Sequence, residues 1–228
     1  MMILLLLWGL IIGSFLGALT YRLPRNISVS KGRSKCPNCN EEIRWYDNVP
    51  LFSYLILKGR CRSCGVKISP RYPLIELGTA ISFLLIGPNI FNLILGSILI
   101  AIFVIDLENQ IIPDNLVFIG LFIVLLEFIT FNSPLFTNLL AGFVAALILL
   151  FLNLITKGKG MGLGDVKLAI LIGCLAGIEK IHLWLFFSFL TGAIVGIILI
   201  LMKKAKLKEE IAFGPFLIIG YLLLIYFK

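Results

Sequence analysis

The chain has 228 residues, of which 60% are hydrophobic and only 14% charged, and its mean hydropathy is +1.06. A water-soluble globule is nearer half apolar and a quarter charged, so that class is excluded. The net charge is +8, from 20 Lys/Arg against 12 Asp/Glu; in so apolar a chain it points to basic loops on one membrane face rather than to nucleic-acid binding.

Apolar runs nearly free of charge occupy 2–20, 73–87, 90–105, 115–131, 135–155, 168–178, 183–202 and 211–227. Most have the length of a membrane-spanning helix or fall slightly short of it. They predict an all-α polytopic membrane protein of about eight transmembrane helices. The first run is read as a retained helix and not a signal peptide, because Arg22 and Arg25 follow it and no basic segment precedes it. Glu76 and Glu127 fall inside apolar runs, and carboxylates there should face other helices and not lipid. The segment 21–72 holds 11 Lys/Arg, the 156–167 loop adds Lys157, Lys159 and Lys167, and the Lys203–Lys208 run adds four more. In an eight-span arrangement these 18 share one side, leaving only Lys180 and Lys228 on the other. The positive-inside rule makes that side cytoplasmic and puts both termini outside. The expected division is a first helix at 1–20, a cytoplasmic module at 21–72 and a seven-helix membrane core at 73–228.

The module at 21–72 contains Cys36-Pro37-Asn38-Cys39 and Cys61-Arg62-Ser63-Cys64, two C-x-x-C knuckles 21 residues apart. Two such knuckles can close a tetrahedral four-thiolate site whose usual occupant is Zn2+. Two disulfides are the alternative, disfavoured by the reducing cytoplasm in which the topology places the loop. A closed site of this kind has no open coordination position, so its metal is expected to be structural. Gly65 suits the tight turn after the second knuckle. Few apolar residues are available for a core, so metal binding and folding should be one event. Cys174, alone in an apolar run, reads as a small buried hydrophobe. His182, the single histidine, lies in an expected outside loop and has no partner for catalysis or ligation.

Asp106 closes the third run, and Asp165 leads into the sixth within Gly162-Leu163-Gly164-Asp165. Both map to the cytoplasmic edge and can meet if those two spans pack together. Two carboxylates sharing one proton can activate water and polarise a scissile carbonyl. Acids at such positions also end helices or serve as ion and proton sites, so spacing alone leaves both readings open. Glu108 and Asp114 are rivals in the same loop, although Asp114, between Pro113 and a helix, reads as an N-cap.

In chain order, Gly13-Ser14-Phe15-Leu16, Tyr21-Arg22-Leu23-Pro24, the first knuckle, Arg44-Trp45-Tyr46-Asp47-Asn48-Val49-Pro50 and the second knuckle are followed by Ile68-Ser69-Pro70-Arg71-Tyr72-Pro73-Leu74-Ile75-Glu76, Ile105-Asp106-Leu107, Ile112-Pro113-Asp114 and Gly162-Leu163-Gly164-Asp165-Val166-Lys167. This ordered set resembles the type IV prepilin peptidases, GxGD-type intramembrane aspartyl proteases. The resemblance implies catalytic roles for Asp106 and Asp165, beside the zinc that the knuckle spacing assigns to Cys36, Cys39, Cys61 and Cys64. It implies cytoplasmic-face cleavage of short basic leaders from type IV prepilin, pseudopilin or competence pilin precursors. It further implies N-methylation of the new terminus with S-adenosylmethionine, in the cytoplasmic (inner) membrane and in contact with its lipid. The spacer between Pro24 and Cys36 is short, and no glycine-rich fingerprint marks a methyl-donor site. A peptidase without methyltransferase activity is one alternative. A non-enzymatic scaffold or metal transporter is another, disfavoured because the spans lack metal-ligating histidines.

Overall fold

The computed structural model describes residues 1–29, 33–158, 160–203 and 211–226. It is all-helical apart from two isolated antiparallel bridges in the cysteine module, and the chain divides into two compact units, Met1–Ala101 and Ile102–Lys228.

In the first unit, α1 (Met2–Arg22) runs into a 3-10 turn at Leu23–Arg25. Pro24 cannot continue the i→i−4 ladder and marks the stop. The knuckles follow, enclosing a 3-10 turn at Trp45–Asn48 and the short helix α2 (Phe52–Ile56), and α3 (Arg71–Ile86) returns alongside α1. Small residues set the closeness of that pair. A Cβ on Gly9 would lie 2.5 Å from Ala80 Cα, and one on Gly13 2.7 Å from Glu76 Cα. This is the small-residue packing that lets helices associate without a hydrophobic drive between them. Arg71 fastens the ends, donating to Gly17 O at 3.0 Å and to Thr20 Oγ1 at 2.7 Å. α3 stops at Gly87, whose φ of +83° only glycine takes freely, just before Pro88.

α4 (Ile90–Asn109) crosses the boundary between the units. The second unit continues with α5 (Asp114–Thr130), α6 (Leu135–Ile155), α7 (Leu163–Ala176), α8 (Ile181–Leu201) and α9 (Gly214–Tyr226). α6 pairs with α7 and α8 with α9, while α7 also touches α5 and α9. Gly142 packs on the α7 backbone at Ile170 O and on the Cys174 thiol, which is why Cys174 is buried. Trp184 Nε1 donates to Leu217 O at 2.9 Å, tying α8 to α9. Outward faces carry Phe118, Phe122, Leu147, Phe151 and Phe186, all exposed, as in a lipid-facing surface.

Each of the eight apolar runs forms a helix over most of its described length, but among the described residues four helices are long and apolar enough to cross a membrane: Met2–Arg25, α4, α6 and α8. α3, α5, α7 and α9 contain 16, 17, 14 and 13 residues. At 1.5 Å per residue they extend about 20–26 Å, short of a ~30 Å hydrocarbon core. Three local expectations change. Asp114 is the first residue of α5 and not its cap, which is Pro113; the Asp114 carboxylate pairs with Lys167 Nζ at 2.7 and 2.9 Å. His182 is the exposed second residue of α8, not a loop residue. α7 begins at Leu163, five residues before the apolar run at 168–178, because Gly162 and Asp165 build a start for it. Of the orienting cations, Lys31, Lys159, Lys204, Lys206, Lys208 and Lys228 lie outside the described residues.

Candidate functional site

The four knuckle cysteines converge. Their Sγ atoms all lie within 4.8 Å of one another, with Cys36 and Cys64 at 3.9 Å. A tetrahedral zinc with ~2.3 Å Zn–S bonds needs sulfurs about 3.8 Å apart, so the donor set fits that ion. Two matching hairpins produce the convergence. Cys36 N donates to Glu41 O and Ile43 N to Ser34 O; twenty-five residues later, Cys61 N donates to Val66 O and Ile68 N to Gly59 O. The turns close in the same way, with Asn40 N to Cys36 O and Gly65 N to Cys61 O, both at 2.9 Å. Asn40 and Gly65 both take positive φ, +58° and +69°.

Backbone dipoles tip two of the four sulfurs toward the thiolate. The Val66 amide, with Asn38, draws the Cys64 thiol down to about 6, and the Cys39 and Asn38 amides lower that of Cys36. At Cys39 the Glu41 backbone also favours the thiolate, but desolvation and the crowding thiols outweigh it and push the group up to about 12. Asp47 and Arg62 brace the module through a bidentate pair at 2.6–3.1 Å. Hydrogen bonds from Arg62 hold the Asp47 carboxyl below its ordinary range. Arg44, Trp45 and Tyr46 border a recess of about 430 Å3, within the size range of small-molecule sites.

In the second unit, Asp106 sits one turn before the end of α4 and Asp165 in the first turn of α7. They are 4% and 7% exposed, a degree of burial that acidic side chains rarely reach. Asp165 Oδ2 accepts the Gly162 N–H at 3.0 Å, supplying one of the donors that a helix start leaves open. A Cβ on Gly162 would lie 3.2 Å from that oxygen. Asp106 Oδ2 is buried and has no hydrogen-bond partner among the described residues. Ile112 links the two environments, 3.1 Å from a Cβ on Gly164 and 3.2 Å from one on Gly214. A recess of about 490 Å3 lined by Lys157, Met161, Gly162 and Leu163 opens beside the Asp165 turn.

Three features had no sequence signal. A Cβ on Gly214 would meet Asp106 Oδ2 at 2.5 Å, so the first residue of α9 shapes the acid site. Ile112 separates the two glycines. Glu76, expected to avoid lipid, is indeed buried, but its partner is the Leu51 N–H at 2.8 Å. Of the rival acids, Glu108 is exposed and Asp114 is engaged with Lys167.

An apolar helical chain with four candidate membrane spans, two buried aspartates and a four-thiol cluster able to hold a metal ion has the make-up of a polytopic membrane protein. Comparison narrows the class. Residues 7–89 match the Bacterial Peptidase A24 N-terminal domain, and residues 93–197 match the Type IV leader peptidase family. The prepilin leader peptidase/N-methyltransferase of Pseudomonas aeruginosa is 32% identical over 253 residues, covering 94% of this chain and 86% of its own. That of Neisseria gonorrhoeae is 34% identical over 249 residues, covering 93% and 85%. The type 4 prepilin-like proteins leader peptide-processing enzyme of Escherichia coli is 36% identical over 251, covering 96% and 91%. No solved structure matches. The chain belongs to the type IV leader peptidase family.

Proposed function

We propose that this protein cleaves the basic leader from type IV prepilin-like precursors at the cytoplasmic membrane face and methylates the amino group so exposed. The observation that carries the peptidase reading is the burial of Asp106 and Asp165 around Ile112, with one carboxylate oxygen left unpartnered. In this reading one aspartate, ionised, takes a proton from water, while the other, protonated, donates to the scissile carbonyl. The Gly162 amide holds Asp165 in place, and the missing side chains at Gly164 and Gly214 let Ile112 and the Asp106 carboxylate pack close against the starts of α7 and α9. The precursors are type IV prepilins, type II secretion pseudopilins or competence pilins, whose leader–helix junction lies where the membrane meets the cytoplasm.

The sequence pattern supports eight spans, the four short helices included, in the inner membrane with both termini outside. It supports the division 1–20, 21–72 and 73–228. Zinc on Cys36, Cys39, Cys61 and Cys64 organises the module and takes no part in bond cleavage, because the donor set is complete without a substrate. S-adenosylmethionine supplies the methyl group, and the recess at Arg44, Trp45 and Tyr46 offers an aromatic face for its adenine and a guanidinium for its carboxylate. A second reading, a peptidase with a purely structural module, is favoured by that same completeness of the metal site.

Mass spectrometry of a pilin precursor incubated with the protein and S-adenosylmethionine tests both readings. A product without its leader and one methyl heavier supports both activities. A cleaved, unmethylated product selects the second reading, and an intact precursor overturns the peptidase assignment.

A further inference from the structure

α2 leaves most of its apolar surface uncovered. Phe52, Leu55 and Ile56 are 61%, 71% and 73% exposed, and only Ser53 is buried, donating to Tyr46 O at 2.8 Å. Water would penalise three large apolar side chains on a five-residue helix, and the small module has no core for them to complete.

Glu76 sets where this surface lies. Its carboxylate, 8% exposed within α3, accepts the Leu51 N–H, and Leu51 takes φ +59° and ψ −47°. A non-glycine residue persists there only when its surroundings enforce it. Glu76 follows Arg71, the first residue of α3, by five positions, so the bond meets α3 about 7.5 Å along its axis from that end. α2 starts at the very next residue after Leu51. It is therefore held alongside the second turn of α3, level with Leu74 and Leu77, which are themselves exposed. On the eight-span arrangement proposed above, in which α3 enters the membrane near Arg71, that depth belongs to the headgroup–acyl boundary and not to the aqueous phase. The charges agree: residues 44–67 carry Arg44, Lys58, Arg60, Arg62 and Lys67 against Asp47 alone, and Asp47 is bonded to Arg62.

We propose that α2 is an interfacial anchor. Phe52, Leu55 and Ile56 insert at the headgroup–acyl boundary of an anionic bilayer, Lys58 and Arg60 meet its headgroups, and the Leu51–Glu76 bond sets the depth. The cysteine module is thereby held against the membrane at a second point, besides its covalent attachments to α1 and α3.

The test uses the full-length, metal-loaded protein in phosphatidylcholine–phosphatidylglycerol vesicles, with p-benzoylphenylalanine at Leu55 and, in a separate preparation, at Ile56. The same probe at Leu85, exposed on α3, is the lipid-contact control. Two sites allow a folding failure at one to leave the other decisive, and metal content reports folding. Irradiation should attach lipid to the α2 peptide, and adding a pilin precursor should leave that yield unchanged. Glu76→Ala, by removing the acceptor of the Leu51 N–H, should lower the yield about fivefold or more. Transfer of the crosslink to the precursor would make α2 a substrate-helix dock and overturn the proposal. So would an α2 peptide free of lipid when the Leu85 control is labelled, or a yield unchanged by Glu76→Ala.

Discussion

Replacing Gly214 by alanine probes the acid site without touching an acid. The new methyl would stand 2.5 Å from Asp106 Oδ2, whereas ordinary contact begins at 3.4 Å. The carboxylate or the start of α9 must therefore retreat by about 0.9 Å, and Ile112, 3.2 Å from the same point, blocks one direction. Overpacking of this kind costs about 1–3 kcal/mol, and a ~1 Å misplacement of a reacting group costs about 10²-fold in rate. A loss of 10²-fold corresponds to about 2.7 kcal/mol added to the barrier, separate from the folding cost. Cleavage of a pilin precursor by Gly214→Ala in vesicles should fall about 10- to 10²-fold, and the overpacking should also lower the melting temperature by several degrees. Gly196→Ala in α8 is the control: its Cβ would meet nothing within 4 Å, so it should cleave at the parent rate. A Gly214→Ala protein that cleaves as fast as the parent would refute the placement of α9 against Asp106.

Other outcomes follow from the same geometry. Asp106→Asn and Asp165→Asn should each lower cleavage by about 10²–10⁴-fold while inserting normally into membranes; a time course with near-parental cleavage in either variant would sink the pair. Cys61→Ser should lose the metal and reduce methylation before cleavage, as read by metal analysis and product mass; full metal content would disprove the four-thiol site. Because the module's folding and metal binding are expected to be one event, chelator treatment should open all four knuckle cysteines to iodoacetamide at pH 7, while the metal-loaded protein resists labelling. Labelling unchanged by the chelator would count against the four-thiol site.

The helices were legible because apolar runs in a membrane chain have little other option. Their ends were less so, since those depend on polar atoms that hydropathy does not weigh. α7 reaches back to Leu163 because the Asp165 carboxylate takes up the Gly162 amide, and α4 continues past Ile105 to Asn109. The four cysteines and both aspartates carry their chemistry in their side chains and could be singled out directly. Gly214 could not, because its contribution is a missing Cβ, and neither could Leu51, because its contribution is a backbone N–H. The correspondence between Cys36–Ile43 and Cys61–Ile68 was present as a repeat of a basic residue, C-x-x-C, a turn residue and a later isoleucine. A search for periodicity over so short a span would have exposed it.

That likeness of the two knuckles bears on how the module assembles. An ion shared by two equivalent halves has no obligatory first partner. Either hairpin can capture it with two sulfurs, and the other then arrives by closing the 21 residues between Cys39 and Cys61. Those residues include Leu51 and α2. Drawing the knuckles together also gathers the stretch that reaches Glu76, so with the proposed metal in this site its supply would govern how the module settles against α3.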